Sequence, residues 1–186
     1  VKYTLQIPDN QSTFLFASVL LIAIGCVSIW AWLVRKYSLM PVWRAALVTL
    51  AFAFIPLYFA NSLVTAILGS ALVGFGFAGV ITTMDLIGAK IMDEDTQRYN
   101  VRREGIISSA MGFMNRLNGL FTSSAFFLVA TIYGFESGNN PGPQPDEAAR
   151  FLLTVFPTIL MIISFGFSFM LNFKTTEKTQ TNLETL

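Results

Sequence analysis

The sequence predicts an all-α protein, a polytopic bundle of transmembrane helices. The chain has 186 residues, of which 54% are hydrophobic and only 12% are charged. About a quarter of the residues of an average soluble domain are charged. The mean hydropathy is +0.61, so too little polar surface is left to cover a globule in water. These observations exclude a water-soluble enzyme and make the lipid bilayer the expected surroundings.

Charge and missing residue types exclude further classes. The net charge is only +1, whereas a nucleic-acid binder needs a clustered basic excess, so no nucleic-acid partner is expected. The chain has no His and one Cys, Cys26, which excludes His/Cys zinc sites, Ser-His-Asp triads and internal disulfides. No acid–base pair or metal-ligand set is visible, so we expect neither an enzyme nor a metal site or cofactor.

Long uncharged stretches locate the spans. Residues 10–34, 45–84 and 151–173 carry no formal charge, and about 20 helical residues cross a hydrocarbon core. The stretch 45–84 is therefore two helices with a turn at Asn61-Ser62. The stretch 117–135 extends backwards if Arg116 is tolerated inside the membrane. The five predicted helices are 12–34, 41–61, 63–89, 105–134 and 148–173.

The basic residues predict the orientation, because cytoplasmic loops are enriched in Lys and Arg. Nine of the 12 basic residues fall on one predicted side: Arg35, Lys36, Arg44, Lys90, Arg98, Arg102, Arg103, Lys174 and Lys178. We therefore expect a multi-pass plasma-membrane protein with a cytoplasmic tail at 174–186. Residues 1–11 lie outside and do not form a signal peptide. They are predicted to trail a missing helix of a longer protein.

Arg116 is the most informative residue, because it lies about 18 Å into the fourth predicted helix. An arginine at mid-span costs roughly 2.5–3.5 kcal/mol on insertion scales and needs a partner or water. With Asn115 and Asn118 it forms a polar patch. Its role is either a substrate or ion cavity or a coupling charge, or else a structural salt bridge or a packing residue stabilised by water. Asp85, preceded by Thr83, is the second intramembrane charge. It either reaches towards Arg116 or pairs at the interface with Lys90 or Arg102.

The third predicted helix contains the letters of a dinucleotide-binding motif, GxGxxG, from Gly74 to Gly79. That motif requires a preceding strand and a helix that starts within it. Here the glycines lie inside an apolar span, so close helix packing is the better interpretation.

The segment Asp93–Gly105, DEDTQRYNVRREG, resembles the loop between the tenth and eleventh helices of the glycoside-pentoside-hexuronide:cation symporters. This is the melibiose-permease-like branch of the major facilitator superfamily. Asp93, Asn100, Arg102 and Glu104 take the places of that family's acidic stretch, linker, basic residue and Glu. The resemblance then places Arg116 on a basic residue that handles substrate and cation, a Lys in melibiose permease.

The resemblance implies that the five spans correspond to the eighth to twelfth helices of a twelve-helix transporter. The chain would be the C-terminal part of a cation-coupled secondary transporter for a sugar or related solute, working by alternating access. Its partners would be the missing N-terminal half and the solute, with Na⁺ or H⁺ as the coupling ion. Arg in place of Lys at 116 is permanently charged and does not suit proton release. The alternative is a five-helix subunit or scaffold that associates with a partner protein.

Overall fold

A computed structural model describes residues 9–136 and 142–171 of the chain. In these ranges the protein is helical and contains no strand, which confirms the predicted helical bundle. The predicted cytoplasmic tail 174–186 and most of the outer segment 1–11 lie outside the described residues. The helices are α1 (Asp9–Tyr37), α2 (Leu39–Tyr58), α3 (Leu63–Tyr99), α4 (Glu104–Arg116), α5 (Asn118–Tyr133), α6 (Pro145–Arg150) and α7 (Phe156–Ser168), and a π-helical turn at Phe151–Val155 joins α6 to α7.

Four helical segments in the described part are long and apolar enough to cross a membrane: Phe16–Tyr37, Leu39–Tyr58, Leu63–Tyr99 and Pro145–Ser168. The region of the fourth predicted span, 105–134, is instead occupied by α4 and α5 in succession. Each of these is shorter than the roughly 20 residues that a crossing needs. Together they have the length of one span that is interrupted at Leu117.

Helix α3 lies at the centre, with α1 and α2 packed against it, and α7 packs on α2. Glycines make the close approach possible. A Cβ added at Gly74 would lie 2.5 Å from the backbone oxygen of Val19 in α1, and one at Gly76 would lie 2.7 Å from Cα of Leu50 in α2. Small residues at such positions allow helix backbones to touch. The packing interpretation of the GxGxxG letters is therefore confirmed.

Trp30 joins α1 to α3 in the same contact region between α1, α2 and α3, which we call the α3 seam. Its side chain is only 3% exposed, and its indole Nε1 donates a hydrogen bond to the carbonyl of Phe75 at 2.9 Å. The indole lies where a side chain on Gly79 would be, 2.6 Å from the position of an added Cβ. The glycine thus makes room for the bulkiest side chain of the seam, and the indole N–H finds an acceptor, as a buried tryptophan requires.

One arginine anchors α6 to the turn between α2 and α3. Arg150 pairs with Asp146 one turn earlier, Nε to Oδ1 at 3.2 Å. Its two terminal nitrogens donate to the carbonyl of Tyr58 and, at 2.9 Å, to Oδ1 of Asn61. The last residue of α2, the turn and α6 are therefore held together at this end of the bundle.

Candidate functional site

The polar patch predicted around Arg116 lies at the interruption between α4 and α5. Leu117 separates the two helices, and its N–H is shared between the carbonyls of Phe113 (3.3 Å) and Met114 (3.1 Å). The N–H of Leu120 then bonds the Leu117 carbonyl at 2.9 Å. The bond to Phe113 is the ordinary i to i+4 bond of an α-helix, whereas the other two are of the i to i+3 type. Bonds of the i to i+3 type mark a tightened, 3₁₀-like turn, which in mid-helix is often a functional hinge.

All three polar side chains of the patch, Asn115, Arg116 and Asn118, are exposed. No residue of α4 is buried. Within the described ranges the Arg116 guanidinium has neither an ion pair nor a hydrogen bond. A charge at mid-span is unfavourable against lipid by roughly 2.5–3.5 kcal/mol. This surface therefore suits contact with water, a polar solute or a polar protein surface.

Thr83 and Asp85 lie on different faces of α3, because residues two positions apart in an α-helix are rotated by about 200° around its axis. Thr83 is completely buried, and its hydroxyl donates to the Gly79 carbonyl of its own helix at 2.7 Å. Asp85 is exposed and has no ion pair among the described residues. The structure thus brings neither residue into contact with Arg116.

The loop residues of the family resemblance are at the surface. Asp93 is exposed. Arg102 and Glu104 approach to 3.6 Å, but their side chains are 83% and 57% exposed. Exposed pairs of this kind contribute little to stability because solvent screens them. The three side chains do not form a single cluster.

A different set of residues joins α3 to α4, and the sequence reasoning missed it. Arg103 makes two hydrogen bonds to Asp95, Nη2 to Oδ1 at 2.9 Å and Nε to Oδ2 at 3.2 Å. Its guanidinium also lies 4.3 Å from the ring centroid of Tyr99. We call Asp95, Tyr99 and Arg103 the α3–α4 clasp. Asn100 ends α3 in a left-handed conformation (φ 52°). Asparagine is a typical residue at a helix end, and with an acid before it and an arginine after it, it was the sequence signal for the clasp.

Helices α4 and α5 contact the rest of the bundle at few positions. In α4, Met111 lies over Gly88 of α3, with Cε 3.1 Å from the position of an added Cβ. At the end of α5, the rings of Tyr133 and Phe151 have centroids 5.9 Å apart. The polar patch lies between these two attachments.

Comparison with known proteins identifies the family. The sequence profile of a family described as MFS/sugar transport protein matches residues 1–175. No curated protein and no solved structure matches the chain.

Proposed function

The chain belongs to the MFS/sugar transport protein family, and on that premise we propose that it is the C-terminal part of a cation-coupled symporter working by alternating access. Membership makes it a multi-pass membrane protein of the transporter class, which handles a small-molecule solute in a bilayer, and points away from an enzyme. The proposal adds the coupling to Na⁺ or H⁺, the missing N-terminal half, and a plasma-membrane location with the C-terminal end cytoplasmic.

The observation that carries this proposal is the exposed, unpaired Arg116 between Asn115 and Asn118. Sites near the middle of transporters are often formed where a helix is interrupted, because freed backbone groups and polar side chains then face the cavity. At Leu117 the helix is tightened, and the backbone groups of Leu117 stay bonded, so the polar side chains are what this turn offers to a solute. A guanidinium has five N–H donors in a fixed plane, which suits the hydroxyl and carboxylate oxygens of sugars and uronic acids.

The other candidate residues take different roles in this proposal. Arginine side chains do not release a proton in proteins, so we propose that a second group serves the coupling, and a carboxylate suits either H⁺ or Na⁺. Asp85 is exposed on α3, about one turn before Gly88, which Met111 of α4 contacts, and we propose it as such a group. The Thr83 hydroxyl is already bonded within α3, which favours a packing role there. For the cytoplasmic loop between α3 and α4, we propose that contacts are made by three residues: Asp93, Arg102 and Glu104.

Transport by the full-length protein tests the role of Arg116. Arg116→Ala should lower uptake at least about tenfold, because a hydrogen bond to a charged group contributes roughly 1.5–3 kcal/mol and 1.4 kcal/mol is a factor of ten. Arg116→Lys keeps the charge and should retain part of the uptake. Arg98→Ala is the control, because Arg98 is exposed in the last turn of α3 and should transport normally. Uptake by Arg116→Ala equal to wild type, at equal surface expression, would remove Arg116 from the mechanism.

The alternative is a subunit or scaffold, and it is favoured by the exposure of Asn115, Arg116 and Asn118, which a polar protein surface would suit as well as water does. A partner protein would cover the polar patch, whereas a transport cavity leaves it wet. Asn118→Cys, in a Cys26→Ser background, should react with a charged, membrane-impermeant thiol reagent if the patch is wet. Phe127→Cys is the control, since Phe127 is 70% exposed on apolar α5 and should resist the reagent in the bilayer. Unreactive Asn118→Cys would favour the scaffold.

A further inference from the structure

A narrow groove runs between α2 and α7 on the outer surface of the bundle. It has a volume of about 410 Å³. Its walls are apolar, and Thr158 presents no free hydroxyl, because Oγ1 donates to the Thr154 carbonyl at 2.7 Å. A second hollow of about 240 Å³ continues it, sharing Ile55 and Thr158, as far as Phe59. The walls include Leu47, Ala51 and Ile55 of α2 and Thr158, Ile162 and Phe165 of α7.

The dimensions of the groove suit a hydrocarbon chain. From Leu47 to Ile55 the helix rises about 12 Å, so 410 Å³ corresponds to a mean width of about 6 Å. From Leu47 to Phe59 the two hollows extend about 18 Å, similar to the roughly 15 Å thickness of one leaflet of hydrocarbon.

Arg44 closes the groove at the start of α2. Its guanidinium lies 4.4 Å from the ring centroid of Phe169, one turn beyond the groove residue Phe165. Nη2 donates to the Ser168 carbonyl at 3.1 Å, and the buried Nε has no acceptor. A guanidinium has five N–H donors. Among the described residues, Arg44 therefore uses only part of its hydrogen-bonding capacity while keeping a full positive charge.

The arginine near the other end of the groove is different. Arg150 donates to Asp146, to the Tyr58 carbonyl and to Asn61, and Asp146 neutralises its charge. Among the described residues no carboxylate pairs with Arg44, and two exposed basic residues, Arg35 and Lys36, lie at the same end of the bundle. This charge pattern favours an anionic headgroup at the Arg44 end.

We propose that the α2–α7 groove binds one acyl chain of an anionic phospholipid whose phosphate is held by Arg44. The apolar walls hold the chain by burial, and the guanidinium supplies charge-assisted hydrogen bonds to the phosphate. The C-terminal segment 174–186 does not suit the groove, because its only aliphatic side chains are Leu183 and Leu186. This site is separate from the Arg116 patch and does not depend on the transport proposal.

Native mass spectrometry of the purified full-length protein tests the site. It is titrated with phosphatidylglycerol or with phosphatidylcholine of identical acyl chains. We expect phosphatidylglycerol to bind about fivefold more tightly, and Arg44→Gln to abolish that preference. At 1.4 kcal/mol per tenfold, fivefold is about 1 kcal/mol, the usual contribution of one basic residue near anionic lipid. Arg98→Gln is the control and should leave the preference unchanged, because Arg98 is exposed in the last turn of α3, outside the groove walls.

A second pair of variants tests where the acyl chain lies. Val48 lines the groove, so Val48→Trp should fill it and weaken the binding of both lipids. Val64→Trp makes the same change at a side chain that is 66% exposed on α3 and should have no effect. Equal binding of the two lipids by wild type overturns the headgroup assignment. Three results would overturn the groove as the site of the acyl chain. The first is unchanged lipid binding by Val48→Trp. The others are a protein dimer that Val48→Trp dissociates, and displacement of the lipid by free glycerol phosphate.

Discussion

The seam around α3 and the pair α4–α5 differ in how much of their surface is buried. Along the seam, Gly74 and Gly76 bring backbones into contact and Trp30 is buried with its N–H bonded. In α4 no residue is buried, and in α5 only Ala125 and Val129 are. The two helices contact the rest of the bundle at few positions and leave Arg116 uncovered between them.

The difference indicates which surfaces face lipid. Helix α1 also exposes large side chains, such as Ile24 at 73%, but they are apolar and need no cover in a bilayer. The exposed surface of α4–α5 includes a guanidinium and two amides, for which contact with lipid is costly. The seam is thus a completed structural core, whereas α4–α5 presents a surface that water, solute or another protein must complete.

The largest expected effect on stability comes from adding one methyl group to each region and comparing the results. Gly76→Ala forces a Cβ to 2.7 Å from the α2 backbone and should lower the free energy of unfolding by about 2 kcal/mol, as overpacking does. Gly112→Ala in α4 meets nothing within 4 Å and should raise it by about 0.5–1 kcal/mol through helix propensity. Thermal unfolding in detergent measures both. Equal effects would mean that α4 packs as tightly as the seam.

A smaller effect is expected from the buried indole. Trp30→Phe keeps the aromatic ring but removes the hydrogen bond to Phe75, and it should cost about 1 kcal/mol of unfolding free energy. Trp32→Phe is the matched control, because Trp32 is 54% exposed and should change nothing. If both variants melt like wild type, the indole bond does not contribute to the seam.

The smallest effect concerns the junction between the two regions. A double-mutant cycle with Asp95→Asn and Arg103→Gln should give a coupling of about 0.5 kcal/mol, because the side chains are only 21% and 40% exposed and the pair is bidentate. The coupling should fall as salt is added. The same cycle on the exposed pair Arg102–Glu104 should give none. A larger coupling for Arg102–Glu104 would reverse the assignment of the clasp.

Sequence patterns predicted the residues that depend on their own segment. The uncharged stretches predicted the apolar helices, and the turn near Asn61 is observed between α2 and α3. The patch was also visible, because Arg116 stands out against its neighbours. The interruption at Leu117 was not predicted, since no Pro or Gly stands at that position and the turn depends on how two weakly packed helices meet.

Contacts between distant residues account for most of what was missed. Arg103 and Arg102 are adjacent, and nothing in their local sequence distinguishes the one that binds Asp95. The same is true of Arg44 and Arg150, both next to apolar spans. Among the described residues, Arg150 pairs with a carboxylate and Arg44 does not.

By itself the amino-acid sequence determined that this chain is a membrane helix bundle, because hydropathy and charge act on each segment separately. It also determined that a polar side chain, Arg116, lies within an otherwise apolar span. Only the tertiary structure decided that Thr83 is buried, that Arg116 is exposed, and that Arg44 lies at the end of a groove. Burial and pairing depend on which helix lies alongside, and that is fixed by contacts between residues far apart in the chain.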